Sequence, residues 1–208
     1  RKADKGTKHV VINTLIEHNS NDLPWRMSDG ISLVRIKTDD NGLIDPNVLE
    51  KLLKEYNEGS KHGSRRIGLV ALSGASNVLG VFNDLETLSS IVHKYGAQLI
   101  VDGAQLVAHR KVNIEKTGID YIAFSAHKVY APFGTGVLVA KKGLIDMNHP
   151  EIEVIRRPGE ENPAGIAALG KSLLLLQRVG FDIITEEERA LTKRVLDGMA
   201  GIKGIRLY

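Results

Sequence analysis

The sequence of 208 residues contains no cysteine and no long apolar run. Without cysteine, these residues can form no disulfide, no thiolate metal site and no cysteine nucleophile. The longest apolar runs, such as SLLLLQ and GVLVA, are far shorter than the roughly 18 residues that a membrane-spanning helix needs. We therefore expect no membrane partner, and the absence of cysteine is compatible with a reducing compartment such as the cytoplasm, where we expect the protein.

Neither sign of charge is in large excess. Lys and Arg number 28 and Asp and Glu number 25, which gives a formal net charge of +3. A surface that binds nucleic acid would show as a basic stripe, and a disordered tail as a block of like charges. Neither pattern occurs, so we expect no nucleic-acid partner. Hydrophobic residues make up 42% of the chain, which is enough for a substantial core.

Short runs rich in Val, Ile and Leu alternate with helical patterns along the chain. Most runs are continuous, which is typical of strands in a sheet covered on both faces. Two helices begin with capping patterns, at Asp45 followed by Pro46 and at Asn83 with Glu86 three residues on. Alternating strands and helices indicate a mainly parallel α/β sheet with right-handed crossovers. The predicted strands are 9–16, 31–36, 66–73, 97–102, 121–126 and 136–140.

The pattern changes after residue 140, where a polar stretch with several prolines precedes two helical segments. The first, 163–179, begins with Asn162 as cap and Pro163 as first helical residue. The second, 182–200, begins with acidic residues, which suit the positive end of a helix dipole.

These changes predict two domains of unequal size. We expect a large domain over 1–180, incomplete at its N-terminus, and the start of a small C-terminal domain over 181–208. The chain begins at Arg1 and ends on the strand-like run GIKGIRLY. We therefore expect a fragment of a longer protein.

Polar residues follow three neighbouring strands of the prediction, at the sheet edge where ligands of open parallel sheets bind. A lysine there can form a Schiff base with an aldehyde cofactor, and a carboxylate can keep a pyridine nitrogen protonated. Together these two groups indicate pyridoxal 5'-phosphate, whose phosphate and phenolic oxygens need hydroxyl, amide and N–H donors. The residues in question are Asn77, Asp102, Gln105, Ser125, His127 and Lys128.

Three segments carry a family resemblance. SNVLG, VDGAQ and FSAHKVYAPFGTGVL, in this order and spacing, resemble the class V aminotransferase family. This family is the branch of fold-type I pyridoxal-phosphate enzymes that includes cysteine desulfurases and selenocysteine lyases. The resemblance implies a large domain of three layers, α/β/α, built on a seven-stranded type of sheet.

Two further segments extend the resemblance. EHNSNDLPW at 17–25 is similar to the family's E-H-H-x-N-x-x-P-W segment. PGEENPAGIAAL at 158–169 is similar to the loop and helix start at which the family's dimer partner reaches the phosphate. The resemblance therefore implies a homodimer with its active site near the subunit interface.

The resemblance implies a role for each matching residue. Lys128 would bond to the cofactor and shuttle a proton, and Asp102 would pair with the pyridine nitrogen. Gln105 and Asn77 would donate hydrogen bonds to the phenolic oxygen. Ala104 would pack on one face of the ring.

The phosphate site and the ring stack show two departures from the family pattern. Ser125 and His127 would bind the phosphate as in the family. The ring-stacking histidine is replaced by Asn19, which we expect to lie over the ring without the acid and base capacity of an imidazole. The threonine that donates to the phosphate across the dimer falls on Pro163, which has no N–H or hydroxyl to donate.

The resemblance implies an enzyme that acts on a small amino acid, most similar to a cysteine desulfurase or selenocysteine lyase, with a sulfur-acceptor protein as partner. A transaminase or an epimerase on another amino acid stays open because of Asn19, as does an inactive family member, although Lys128 argues against the latter. A serine hydrolase is disfavoured, because Ser125 and His127 lie too close on one strand end and no G-x-S-x-G elbow occurs. The other histidines show no paired ligand spacing, so we expect no metal site.

Overall fold

A computed structural model describes residues 8–59, 61–150, 152–153, 162–205 and 207. The strands of its single sheet are β1 (Lys8–Thr14), β2 (Ile31–Ile36), β3 (Arg65–Ser73), β4 (Gln98–Asp102), β5 (Tyr121–Ser125) and β6 (Gly136–Ala140). Their order is β2-β1-β3-β4-β5-β6. All neighbours are parallel except β5 and β6, which are antiparallel. The predicted mainly parallel α/β sheet is confirmed, with six strands in the described part of the chain where seven were expected.

Two of the three predicted helix caps, Asp45 and Asn162, are confirmed. Asp45 caps α2 by accepting a hydrogen bond from the N–H of Asn47 at 2.8 Å. Asn162 caps α6 by accepting from the N–H of Gly165 at 2.9 Å. The helices are α1 (Leu23–Met27), α2 (Pro46–Asn57), α3 (Leu85–Lys94), α4 (Leu106–His109), α5 (Ile114–Thr117), α6 (Pro163–Val179) and α7 (Phe181–Ala200).

The exception is the start of α3. Asp84 is the cap, and its carboxylate accepts from the N–H of Thr87 at 3.1 Å and from its hydroxyl at 2.7 Å. The side chain of Asn83 instead donates to the carbonyl of Ser73 at 2.9 Å. The predicted capping box of Asn83 and Glu86 is therefore wrong, because a tertiary hydrogen bond at the end of β3 uses the Asn83 amide.

The apolar core lies mainly between the sheet and helices α2 and α3. Fully burying a Leu or Val side chain contributes about 1.5–3 kcal/mol, so this cluster dominates the stability of the fold. Its fully buried members include Ile12, Leu49, Leu53, Leu72, Leu88, Leu99 and Val101. A smaller cluster packs α6 against α4 and the turn after β5, and it consists of Ala108, Ala126, Val129, Ala131, Leu169 and Leu176.

The C-terminal part of the chain is less enclosed. α6 and α7 are bent by 76° relative to each other at Gly180. No single described helix is both long and apolar enough to cross a membrane; only this bent pair, taken together, passes on length and composition. α7 has no buried residue in the described structure, and the boundary expected between 1–180 and 181–208 stays a prediction.

Two predictions concern the C-terminal part of the chain: the strand-like run at its end and the loop near the dimer partner. Residues 201–204 form turns, so the strand-like run predicted at the end of the chain is wrong for them. Residues 158–161, the first part of the loop expected at the dimer partner, lie outside the described residues.

Candidate cofactor site

A cavity of about 310 Å³ lies at the edge of the sheet where β1, β3, β4 and β5 end. Small-molecule sites span about 300 to 1,000 Å³, so the cavity is large enough for a small ligand. It gathers side chains that are far apart in sequence because parallel strands end at a common edge. Six of the seven predicted site residues line it, namely Asn77, Asp102, Gln105, Ser125, His127 and Lys128.

Asp102 is fixed in the cavity wall by the turn that follows β4. Its Oδ1 accepts a hydrogen bond from the N–H of Ala104 at 2.9 Å. Gly103 makes this turn, since a Cβ there would lie 2.7 Å from Cδ1 of Ile122 on the neighbouring strand. The Asp102 side chain is half-buried, and Oδ2 makes no hydrogen bond within the described residues. One carboxylate oxygen is thus available to a ligand.

Lys128 projects from a 3₁₀ turn, Ala126–Val129, that follows β5 directly. Ala126 and Val129 anchor the turn, because both are fully buried. Tyr130 closes it in the left-handed region with φ of +68°. Lys128 is half-buried, and its Nζ has no hydrogen bond or ion pair to any residue that the structure describes. The cavity therefore contains an amine that no carboxylate of the described chain neutralises.

The remaining predicted residues supply amide and imidazole groups to the wall. Asn77 is exposed in the loop after β3, where Ser76 Oγ accepts from the N–H of Val78 at 3.2 Å. Gln105 is half-buried immediately before α4. The ring of His127 stacks on Phe133, with the centroids 4.7 Å apart. These groups provide the kinds of hydrogen-bond donor that a phosphorylated, oxygen-rich ligand requires.

A further carboxyl group, Glu17, lies near Asp102. Burial raises the pKa of Glu17, and the nearby charge of Asp102 raises it further, against hydrogen bonds from Thr14, Asn21 and the backbone of Ser73. The Thr14 hydroxyl and the Asn21 amide each lie 2.7 Å from the carboxyl oxygens. Two acidic groups beside one cavity favour a cationic group in the ligand.

The sequence did not single out four residues of the wall, which are His18, Ser20, Ser73 and Ala75. His18 and Ser20 flank Asn19, whereas Asn19 itself is exposed and outside this wall. The cofactor role expected of Asn19 therefore stays a prediction. The sequence signal for His18 and Ser20 is the polar run that follows the buried strand β1. Asp102 was identified by the same kind of signal at the end of β4.

No group of three or more His, Asp or Glu side chains in the described part of the chain could hold a metal ion.

The aminotransferase class-V family profile matches residues 1–208, which is the whole chain. A probable cysteine desulfurase of Halalkalibacterium halodurans is 30% identical over 229 residues. A probable cysteine desulfurase of Pyrococcus abyssi is 34% identical over 218 residues. These matches cover 100% and 94% of this chain, but 54% and 51% of the relatives. The chain thus spans about half the length of the curated relatives that it matches.

Solved structures of cysteine desulfurases share the fold. The apo enzyme of Thermococcus onnurineus NA1 matches with a TM-score of 0.77 and 30% identity, over 93% of this chain and 52% of that one. CsdA of Escherichia coli in its S-sulfonic acid form matches with a TM-score of 0.79 and 26% identity, over 95% of this chain and 53% of that one. From the match over its whole length and from these relatives, the chain belongs to the aminotransferase class-V family.

Proposed function

We propose that the residues lining the cavity form the main part of the active site of a pyridoxal-phosphate-dependent enzyme. This enzyme would resemble cysteine desulfurases and act on a small amino acid. The observation that carries the proposal is the meeting of Lys128 and Asp102 in one cavity, where the amine has no ion-pair partner among the described residues. The relatives named as cysteine desulfurases support this choice within the family.

The cavity fits pyridoxal phosphate by the chemistry of its side chains. Lys128 would hold the aldehyde carbon, and Asp102 would accept a hydrogen bond from the protonated ring nitrogen through the oxygen that the Ala104 turn leaves available. When bound, the cofactor supplies a ring that withdraws electrons from the α-carbon of an amino acid. The carboxylate of Asp102 would keep that ring cationic, which is the form that withdraws electrons most strongly.

The other wall residues would orient the cofactor. Asn77 and Gln105 carry amides that would donate to the phenolic oxygen. Ser125 and His127 carry the hydroxyl and imidazole donors for the phosphate. The phosphate would then lie beside the turn 126–129, which the second apolar cluster fixes in place.

Lys128 would also carry out the proton transfer. Its Nζ, when not bonded to the cofactor, would accept a proton from the substrate α-carbon and return it at a neighbouring atom. A lysine that is half-buried, and that no carboxylate of the described chain holds, is suited to this role.

The proposal includes a homodimer with its active site near the subunit interface, a protein that accepts sulfur, and a location in the cytoplasm. Exposed apolar side chains beside the cavity support an interface there. Phe133 and Val78 are each 80% exposed, and Tyr130 is 73% exposed. Contiguous patches of exposed apolar side chains mark interaction sites on protein surfaces.

A transaminase or an epimerase on another small amino acid is the second candidate. Asn19 favours it, since an amide stands where the desulfurase pattern has an imidazole that can exchange protons. A selenocysteine lyase would share the chemistry proposed for the desulfurase.

Product analysis of the whole protein loaded with pyridoxal phosphate separates these candidates. With L-cysteine and a thiol reductant, a desulfurase releases sulfide and an equal amount of alanine, and with selenocysteine a lyase releases selenide. Formation of a keto acid from another amino acid would show a transaminase, and racemised substrate an epimerase. A loaded protein that changes none of these substrates would be an inactive family member.

A further inference from the structure

The carboxyl group of Glu17 lies behind the cavity wall, where polar groups of three buried residues hold it. Its Oε1 accepts a hydrogen bond from the hydroxyl of Thr14, and its Oε2 accepts one from the amide of Asn21, each at 2.7 Å. The backbone of Ser73, at the end of β3, donates a third hydrogen bond. Thr14, Asn21 and Ser73 are all buried. These contacts give the half-buried carboxyl group of Glu17 a defined position.

The contact with Ser73 places Glu17 next to Asp102. In the register of the parallel strands β3 and β4, Ser73 is the residue opposite Asp102. The N–H of Gly74, which follows Ser73, donates to the carbonyl of Asp102 at 2.8 Å. Burial is the main cause that raises the pKa of Glu17, and the charge of Asp102 raises it further. The charge of each carboxyl group therefore affects the ionisation of the other.

The contacts of Glu17 are compatible with both of its charge states. The amide N–H of Asn21 and the backbone N–H of Ser73 can only donate, so they stabilise the ionised carboxylate. The hydroxyl of Thr14 can either donate or accept. When Glu17 carries a proton on Oε1, the carboxyl group can donate that proton to Thr14 and keep the same contact. Because Glu17 is half-buried, its proton can pass to solvent.

Several charged or titratable side chains line the adjacent cavity from different elements. They are Asp102 at the end of β4, His18 next to Glu17 in the chain, and His127 and Lys128 in the turn after β5. A cationic ligand paired with Asp102 would offset the negative charge that raises the pKa of Glu17. Glu17 would then release its proton to solvent, and its carboxylate would add a second negative charge near the cation.

We propose that Glu17 is a positioning residue that acts on bound pyridoxal phosphate through Asp102. It ionises when the protonated ring nitrogen pairs with Asp102, and its charge then helps to keep that nitrogen protonated. Glu17 is not among the residues that line the cavity, so we expect it to contact neither cofactor nor substrate. This inference rests on the proposed function, since it requires that pyridoxal phosphate occupies the cavity.

The first measurement begins without the cofactor. Carbon NMR follows the carboxyl group of Glu17 through a pH titration of the whole protein, and the loss of its signal in Glu17→Gln assigns it. In wild type, the midpoint should lie above 4.5, the usual value of a glutamate. Asp102→Asn removes the neighbouring charge, so it should lower the midpoint by about 0.5 pH unit, and addition of pyridoxal phosphate to wild type should also lower it. Asp40→Asn, an exposed change of the same atoms, should leave it unchanged.

The second measurement reports on the ring nitrogen of the bound cofactor. Nitrogen NMR of pyridoxal phosphate labelled at this atom shows whether it is protonated. Glu17→Gln keeps the size of the side chain and removes its charge, so we expect the nitrogen to lose its proton about one pH unit lower than in wild type. By linkage, the visible absorbance should show about tenfold weaker cofactor binding. Glu17→Asp keeps the charge and should restore most of both effects, and Glu187→Gln, an exposed change on α7, should cause neither.

The outcomes separate this inference from the proposed function. A wild-type protein that binds no pyridoxal phosphate overturns both. If wild type binds the cofactor but Asp102→Asn leaves the midpoint of Glu17 unchanged, the inference alone is overturned. The same holds if Glu17→Gln leaves the protonation of the ring nitrogen and the cofactor affinity as in wild type. Far-UV circular dichroism confirms folding, and if Glu17→Gln does not fold, Glu17→Asp assigns the signal and the Asp102→Asn titration decides.

Discussion

Asp102 sets the electrostatics of the cavity at the scale of single residues. A half-buried carboxylate loses part of its hydration, and the hydrogen bond from Ala104 compensates only one of its oxygens. The nearby Glu17 adds a second acidic group. Burial is the main cause that raises the pKa of Glu17, and the charge of Asp102 raises it slightly further. A cationic group of a ligand would offset both costs, and a protonated pyridine nitrogen is such a group.

Replacing this carboxylate by its isosteric amide tests that interpretation. Asp102→Asn keeps an oxygen for the Ala104 N–H but cannot hold a pyridine nitrogen in its protonated form. We expect kcat/KM to fall by at least about 100-fold, or about 2.7 kcal/mol of transition-state stabilisation, while the protein stays folded. Steady-state kinetics of the loaded whole protein measures the effect.

The control is Asp40→Asn, which changes an exposed loop carboxylate by the same atoms. It should leave kcat/KM unchanged. An Asp102→Asn variant with the same kcat/KM as this control would show that the carboxylate does not act on the ring.

At the scale of elements, Asp84 is the residue that caps helix α3. Asp84 makes two hydrogen bonds to Thr87, whereas Glu86 lies on the exposed side, 3.4 Å from Lys116. We expect Asp84→Ala to lower the free energy of unfolding by about 1 kcal/mol, the usual effect of losing a cap. Glu86→Ala should change it by less than about 0.5 kcal/mol, since it breaks only an exposed ion pair. Urea unfolding measures both changes. A larger loss of stability for Glu86→Ala than for Asp84→Ala would contradict the assignment of Asp84 as the cap.

Glu188 connects α7 to α4, the helix that follows Asp102. Burial tends to raise the pKa of Glu188, but hydrogen bonds from Arg110 and His109 hold it below its usual value of 4.5. A carboxylate with a lowered pKa stabilises the folded state above its unfolded pKa, and this contribution disappears as the pH falls through the folded pKa. The contacts of Glu188 with His109 and Arg110 are therefore a pH-dependent link between the two helices.

The variant Glu188→Gln should consequently be less stable than wild type by roughly 1 kcal/mol at neutral pH. The difference should shrink as the pH falls from about 4.5 through the lower folded pKa of Glu188. Asp197→Asn, which breaks the exposed pair with Lys193 on the same helix, should cost less than about 0.5 kcal/mol. Thermal unfolding at a series of pH values measures both, and a difference for Glu188→Gln that grows on acidification would contradict the assignment.

Much of the fold could be predicted from the sequence because buried parallel strands are continuous apolar runs, and all six predicted strands occur with small differences at their ends. The cavity followed from the same rule, since polar residues after β3, β4 and β5 had to meet at one edge. The cap of α3 could not be predicted, because Asn83 is engaged by the carbonyl of Ser73, a residue ten positions away. The sequence did not show that His18 lines the cavity and Asn19 does not. The two residues belong to a 3₁₀ turn, and no apolar periodicity in the sequence predicts that turn.

At the scale of the whole molecule, exposed apolar side chains lie next to site residues. Phe133 stacks on His127, and Tyr130 follows Lys128 closely in the chain, so an interface here would border the cofactor. We expect the whole protein to sediment as a dimer. Phe133→Asp should shift it towards monomer and weaken pyridoxal-phosphate binding together with dimerisation, since the proposed interface would border the site.

The matched control for that experiment is Met27→Asp, which alters a residue that is 78% exposed on α1. This variant should remain dimeric. A wild-type protein that sediments as a monomer at every accessible concentration would contradict the expected dimer, and it would leave the cavity residues to bind the cofactor within one chain.

The most direct measurement is the visible absorbance of the whole protein after addition of pyridoxal phosphate, for wild type, Lys128→Ala and Lys142→Ala. Lys142 is an exposed lysine in the loop after β6 and serves as the control. We predict a visible band in wild type and in Lys142→Ala, and its complete loss in Lys128→Ala, which should still be folded. A visible band of equal strength in Lys128→Ala would contradict the assignment of Lys128 as the residue that holds the cofactor.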